Sequence, residues 1–322
     1  MSTASRPVTL PTIAPDVLVI GNICIDRAHR SGGTEEALGG GSAYATQVAV
    51  RAGYRPAMVT AAPDLTGRLA ALAADPRVAL HVKPSETVNL FEVVWPPGQK
   101  RRERVLSRAC PLVAADIPQA WRHAPVAYVG PILGECDGPL VAELGCRCIA
   151  VGAQGWLRQL DDQGWIVEAE TEAFKAPPAN VNIMIFSEED HPDGEAEARR
   201  LARRGILTVL TRGALGGQVF VPDGSQLRYA PVQAVERDAT GAGDTFGCVF
   251  ALAISRRLSP GAAAALAAEA AARVVEGPEM GALTEVRWPN LDRDARARLR
   301  ASVDRVAWPD EVSGAQLQGR AR

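Results

Sequence analysis

Asp238-Ala239-Thr240-Gly241-Ala242-Gly243-Asp244-Thr245 follows an extended run and opens a long apolar stretch whose pattern predicts a helix over 241–256. Its small residues let the backbone come close to an anion, and the first N–H groups of a helix have no partners within it. Those donors and the positive end of the helix dipole together make an anion site. Asp244 adds a carboxylate at the same place. Donors for phosphate oxygens beside a base that takes a hydroxyl proton are the two functions phosphoryl transfer requires. The plainer reading of the same residues is a glycine-rich helix start capped by Asp244, because short glycine motifs recur by chance.

Outward from this segment, short β-branched runs alternate with Ala-rich ones. The pattern predicts strands over 16–20, 56–60, 126–130, 146–151, 181–186 and 206–211. Helices are expected over 42–52, 66–74, 137–145, 193–204 and 260–276. Such alternation indicates an α/β fold with a mainly parallel sheet covered on both faces. Sheets of this kind bind ligands at the carboxyl ends of their strands. Asp26 follows the first strand and is expected to emerge there.

Two segments break the pattern. Thr87 to Trp95 and Arg101 to Leu106 flank Pro96-Pro97-Gly98, the signature of a hairpin. Polar and apolar residues mix in Val88-Asn89-Leu90-Phe91-Glu92-Val93, as in a partly exposed sheet, so this is read as an antiparallel insertion projecting from the main sheet. A second hairpin joins 217–221 to 226–230 through Pro222-Asp223-Gly224. Residues 1–15 read as a flexible leader, 16–290 as one domain and 291–322 as a charged tail.

The 322 residues are 47% apolar and 22% charged, enough to bury a substantial core. A net charge of −2 supplies no global field for nucleic acid or an anionic membrane surface. The basic runs Lys100-Arg101-Arg102 and Arg203-Arg204 read as solvated faces. No stretch approaches the ~20 apolar residues that span a bilayer, and Met1 to Pro15 lacks the features of a secretory signal. The six cysteines have no zinc-site spacing; Cys146 and Cys148 read as buried thiols on one face of a strand. This usage suits a reducing, cytoplasmic setting.

Asp238 to Asp244 also resembles the C-terminal signature of the ribokinase/PfkB carbohydrate kinases, Asp-x-Thr-Gly-Ala-Gly-Asp. Gly39-Gly40, followed by a small-residue helix ending at Gly53, is similar to that family's N-terminal glycine motif. Asp64-Leu65-Thr66-Gly67 resembles its Asp-x-x-Gly element, and Thr211-Arg212-Gly213-Ala214-Leu215-Gly216 its Thr-x-Gly-x-x-Gly segment. The matches run in family order over about residues 16–281. The resemblance implies a ribokinase-like three-layer sandwich with a mainly parallel central sheet and a small β-lid from segments near 27–38 and 86–107.

It also implies roles. Asp244 becomes the general base, and the amides of Gly241, Ala242 and Gly243 the anion hole. Asp26 binds substrate hydroxyls, with Asn22, Gly39, Gly40, Tyr44, Gln154 and Arg158 around it; the Arg158 guanidinium is able to clamp two oxygens. Thr211, Gly213, Gly216, Asp238 and Thr240 lie near the nucleotide, and Asp190 faces the metal. The implied cofactors are ATP and Mg²⁺, with a monovalent cation such as K⁺, and the implied assembly is a homodimer through the lid.

Three positions depart from the family pattern. Tyr44 stands where Asn is usual, Ser187-Glu188-Glu189-Asp190 replaces Asn-x-x-Glu, and Gly152 occupies a position where relatives carry Asp. The first of these, the short segment from Asp26 to Gly39 and the stretch Gln154-Gly155-Trp156-Leu157-Arg158 resemble the myo-inositol kinase branch. The expected activity is therefore ATP-dependent phosphorylation of a cyclitol or sugar hydroxyl. A nucleoside kinase and a catalytically inactive sugar-binding regulator are the alternatives. Tyr44 either covers an apolar substrate face or packs under the insertion.

Overall fold

The computed structural model describes residues 14–30, 33–63, 68–94 and 101–277. In chain order these form β1 (Val17–Ile20), β2 (Cys24–Arg30), β3 (Gly33–Gly39), α1 (Gly41–Arg51), β4 (Pro56–Ala62) and α2 (Arg68–Ala73). Next come β5 (Ala79–Pro84), β6 (Asn89–Val94), β7 (Arg102–Ser107), β8 (Val126–Val129), α3 (Gly138–Ala142) and β9 (Cys148–Gly152). A short hairpin, β10 (Arg158–Leu160) and β11 (Ile166–Glu168), precedes α4 (Glu172–Lys175), β12 (Ile183–Ser187), α5 (Gly194–Arg203) and β13 (Leu207–Thr211). The described chain closes with β14 (Gly217–Phe220), β15 (Gln226–Tyr229), α6 (Ala242–Ser255) and α7 (Pro260–Val275).

The central sheet has the order β15-β14-β13-β12-β9-β8-β1-β4-β5. Every pair from β13 to β5 is parallel, and β14 and β15 add antiparallel to one edge. Alternation along each strand sorts its side chains between two cores. Val17 and Val19 of β1 pack with α1, α6 and α7, whereas Leu18 and Ile20 pack with Trp121, Leu140, Phe174 and Leu201 on the opposite face. The result is the three-layer sandwich. From Thr245 to Ile254 every residue of α6 is buried, which explains why its sequence is apolar all round.

The lid is larger than one hairpin. It is a separate four-stranded sheet of order β3-β2-β6-β7, in which β6 lies parallel to β2 and antiparallel to β7. Only three residues, 21–23, separate β1 from β2, so the chain passes directly from the body sheet into the lid. Asp26 therefore sits on a lid strand instead of on a loop at the end of β1. The strand β5 and the hairpin β10–β11 were not expected from the pattern, both being short and part polar. The helix anticipated over 137–145 shortens to α3. Cys146 falls before β9, so it does not share a strand face with Cys148; all six cysteines are free. No helix among the described residues is long and apolar enough to cross a membrane. The turn Pro96-Pro97-Gly98, the Asp64–Gly67 element, the leader up to residue 13 and the tail lie outside the described residues.

Candidate active site

A cleft of about 660 Å³ opens between the lid and the carboxyl ends of the body strands. The chain order of its walls shows how the fold assembles it. The lid contributes Asp26 and Glu103, the start of α1 contributes Gly40, Gly41 and Tyr44, and the segment after β9 contributes Gln154 and Arg158. Asp190 follows β12, Thr211 ends β13 and Gly213 follows it, and Thr240, Gly241, Gly243 and Asp244 form the entry and first turn of α6. Residues more than 200 positions apart thus share one cavity.

Gly241 caps α6 in the left-handed region, with φ 79°, and no side chain caps the helix. An added Cβ there would strike the Tyr44 ring at 2.2 Å, so glycine is required both for the conformation and for the contact. Tyr44 is accordingly packed against the helix start and only 1% exposed. The Ala242 amide donates to the Ala239 carbonyl at 3.2 Å, and Ala242 does not line the cleft. Of the three amides expected to form an anion hole, those of Gly241 and Gly243 keep no backbone acceptor among the described residues. A Cβ on Gly243 would meet nothing within 4 Å, so that residue faces open cleft.

Asp244 stands in the first turn of α6. Its Oδ1 accepts a hydrogen bond from the Tyr128 hydroxyl at 3.0 Å. Burial pushes its carboxyl up to about 6; the Tyr128 hydrogen bond and the Arg158 charge oppose the rise, and the Asp190 charge adds to it. Gly41 lies so close that a Cβ there would come within 2.3 Å of Asp244 Oδ1. Neither Tyr128 nor Gly41 was singled out in the sequence. Nothing in the local pattern of β8 separates Tyr128 from a core aromatic, because its partner lies 116 residues away.

At the lid end, Asp26 accepts a hydrogen bond from Cys24 Sγ at 3.4 Å. Burial and then the Glu103 charge push its carboxyl up to about 6, against the pull of Arg101. Gly39 has no room for a side chain because Cys24 Sγ and Asp26 Oδ2 would lie 2.8 and 2.9 Å from its Cβ. Its role is to admit Asp26. Glu103 pairs with Arg101 at 2.6 Å and with Arg158 at 3.2 Å, joining lid to body. Arg101 and Arg102 are exposed, as expected of a solvated run, yet both also border the cleft, and Arg102 stacks on Trp165 at 4.4 Å. Lys100 lies outside the described residues.

Other expected site residues serve the scaffold. Asn22 is fully buried, its Nδ2 donating to the Cys110 carbonyl at 3.1 Å and its Oδ1 accepting from the Ala61 amide at 3.0 Å. Both ends of the side chain are committed, and it does not reach the cleft. Asp238 folds the loop by accepting from the Thr240 amide at 2.9 Å, and Gly216 lets the chain pass the Tyr229 carbonyl; neither lines the cleft. Asp190 does line it. The Ser187 amide donates to Asp190 Oδ2 at 2.8 Å, and its hydroxyl accepts from the Glu189 amide at 3.2 Å, so the serine side chain takes part in the turn. Burial holds the Asp190 carboxyl above its usual range. No cluster of three or more potential metal ligands exists among the described residues.

Gly152 has a structural explanation. A Cβ there would stand 2.5 Å from the Tyr128 hydroxyl, so the phenol occupies the space that a side chain at 152 would need.

Residues 180–286 match the family described as pfkB family carbohydrate kinase. The chain is 31% identical to the inositol 3-kinase of Oryza sativa subsp. japonica, over 77% of its own length and 65% of that protein. It is 30% identical to the inositol 3-kinase of Zea mays, over 77% of its length and 69% of that protein. It thus spans about two thirds of the length of these relatives. Its fold is similar, with a TM-score of 0.71 at 18% identity, to a pyrophosphate-dependent kinase in the ribokinase family complexed with a pyrophosphate analog and myo-inositol. That likeness covers 84% of this chain and 100% of the other.

Proposed function

The chain belongs to the PfkB family of carbohydrate kinases, and from that premise we propose that it transfers the γ-phosphoryl group of ATP to a hydroxyl of a cyclitol of the myo-inositol type or a related sugar. The observation that carries the reading is one cleft lined both by Asp26 of the lid and by Asp244 at the start of α6, with the uncapped Gly241 and Gly243 amides beside the latter. Asp26 accepts hydrogen bonds from substrate hydroxyls. Asp244 takes the proton of the attacking hydroxyl as its oxygen bonds to the γ-phosphorus, while the bond from phosphorus to the ADP oxygen breaks. The Gly241 and Gly243 amides hold the phosphoryl oxygens as charge shifts among them. Arg158 lines the same cleft and adds a guanidinium to the same oxygens while keeping its pair with Glu103. The identity of the two plant relatives as inositol 3-kinases supports the cyclitol.

The residues present fit a magnesium ion carried in by the phosphates. Mg²⁺ characteristically uses one or two carboxylates, water and substrate phosphates instead of a protein cage. Asp190 supplies one carboxylate to the cleft, at the carboxyl end of β12. Asp190 would hold the ion, directly or through water, and the bound ion neutralises phosphate charge.

The test is purified protein with ATP and Mg²⁺ against myo-inositol, other cyclitols, hexoses, ribose and nucleosides, following both ADP and the phosphorylated product. A parallel set carries pyrophosphate as donor. The expected result is polyol-dependent ADP formation that falls by ~10²–10⁴ in Asp244→Asn. Substrate binding without turnover by any donor would identify a non-catalytic binding protein instead.

A further inference from the structure

Tyr128 belongs to β8, the strand beside β1, and is 1% exposed. Its ring fills a slot made by glycines from three separate places. A Cβ on Gly130 would be 3.1 Å from Tyr128 Cε1, one on Gly152 would be 2.5 Å from its hydroxyl, and one on Gly247 would be 2.8 Å from Cε2. The first follows β8, the second ends β9 and the third lies on α6. Each of those elements gives up a side chain where the phenol sits, and the slot directs the hydroxyl onto Asp244 Oδ1 at 3.0 Å.

We propose that Tyr128 is the positioning residue for the catalytic carboxylate: its hydroxyl fixes Asp244 Oδ1, leaving Oδ2 as the oxygen that receives the substrate proton. This rests on the reading of Asp244 as general base. A carboxylate on a short side chain otherwise rotates about its last bond, and a base must be within hydrogen-bond reach of the proton it takes. Burial and the Asp244 charge keep the Tyr128 phenol protonated far above neutral pH, so it acts only as a donor. The other groups facing Asp244 are Arg158 at the start of β10, Asp190 after β12, Tyr44 on α1 and Cys248 on α6 itself. Of these, Tyr128 alone makes a side-chain hydrogen bond to it among the described residues.

The experiment compares the parent protein with Tyr128→Phe, which keeps the ring and removes the donor. Two readouts are taken: the ¹³C carboxyl titration of Asp244, assigned with Asp244→Asn, and the pH profile of kcat. In Tyr128→Phe the Asp244 titration and the acid limb of kcat should both move upward by roughly one pH unit, the size of one hydrogen bond to a charged group. At neutral pH kcat should fall about tenfold with KM for polyol and ATP nearly unchanged, because the lost contact orients the base and not the ligands. Gly152→Ala, which displaces the phenol while leaving Tyr128 in place, should reproduce the shift. An Asp244 titration that is the same in Tyr128→Phe as in the parent overturns the proposal and leaves the base assignment standing. Retained turnover in Asp244→Asn overturns both.

Discussion

Replacing Asp26 by Asn separates a carboxylate kept for a ligand from one kept for the fold. Among the described residues its side chain accepts a hydrogen bond from the weak donor Cys24 Sγ alone, at 3.4 Å. Burial, followed by the Glu103 charge, moves its pKa from 3.8 to about 6. A shift of ~2 units corresponds to ~3 kcal/mol by which the ligand-free fold disfavours the ionised form. The sign follows from proton counting. Between about pH 4 and 6 the folded state holds more protons at this site than the unfolded chain does, so stability falls as pH rises through that window. Above about 6 the whole cost is present, and below about 4 it is absent. Asn has nearly the same shape and no charge. Asp26→Asn should therefore raise the unfolding free energy by about 1–3 kcal/mol at pH 7.5 and change it little at pH 4. The same substitution should weaken polyol binding by roughly 2–4 kcal/mol through lost charge-assisted hydrogen bonds. Urea unfolding at both pH values measures the first effect. Titration calorimetry measures the second, in an Asp244→Asn background because Asp244 also titrates near 6. A variant that is less stable at pH 7.5 and binds polyol normally would refute the reasoning.

Three further outcomes are expected. Gly243→Val should fold, since a Cβ there meets open space, yet lose transfer by at least ~10²–10³ because the side chain fills the place of the phosphoryl oxygens; turnover measured beside thermal unfolding checks it. Gly41→Ala places a methyl 2.3 Å from Asp244 Oδ1 and should lower kcat by on the order of 10² through misplacement of the base, with ATP binding unchanged by calorimetry. Glu103→Gln removes the charge that pairs Arg101 and Arg158 between lid and body; ~1 kcal/mol of lost closure should raise polyol KM about fivefold, and limited trypsin digestion should cut the lid sooner.

How much of this was legible depended on how local each signal is. The period of β1, the apolar face-less run of α6 and the hairpin punctuation around residues 87–106 depend on neighbours in the chain, and they lead to the three-layer sandwich and a lid. The glycine-rich start of α6 was legible for the same reason: unpartnered amides at a helix start are a property of six or seven consecutive residues. Signals failed where function depended on a distant partner. Asn22 looked like a substrate contact, but its side chain is taken up by the Cys110 and Ala61 backbones. Ala242 looked like a third donor until the turn at Ala239 claimed its amide. Arg101 is solvent-exposed as its basic run suggests, but its place at the cleft and its pair with Glu103 depend on the lid sheet.

Sequence by itself determined the alternation of strands and helices, the glycine-rich helix start with its unpartnered amides, and the presence of the Asp26 and Asp244 carboxylates. These follow from backbone periodicity and from the chemistry of single residues. Only the tertiary structure decided that Asp26 belongs to the lid, that Tyr128 rather than a residue near Asp244 in the chain donates to Asp244, and that glycine at 41 and 152 leaves room for Asp244 and Tyr128. Those contacts join positions from about 20 to about 200 residues apart, and their energy arises from exclusion of water and close packing. Neither exists until the sheet has brought its strand ends together beneath the lid.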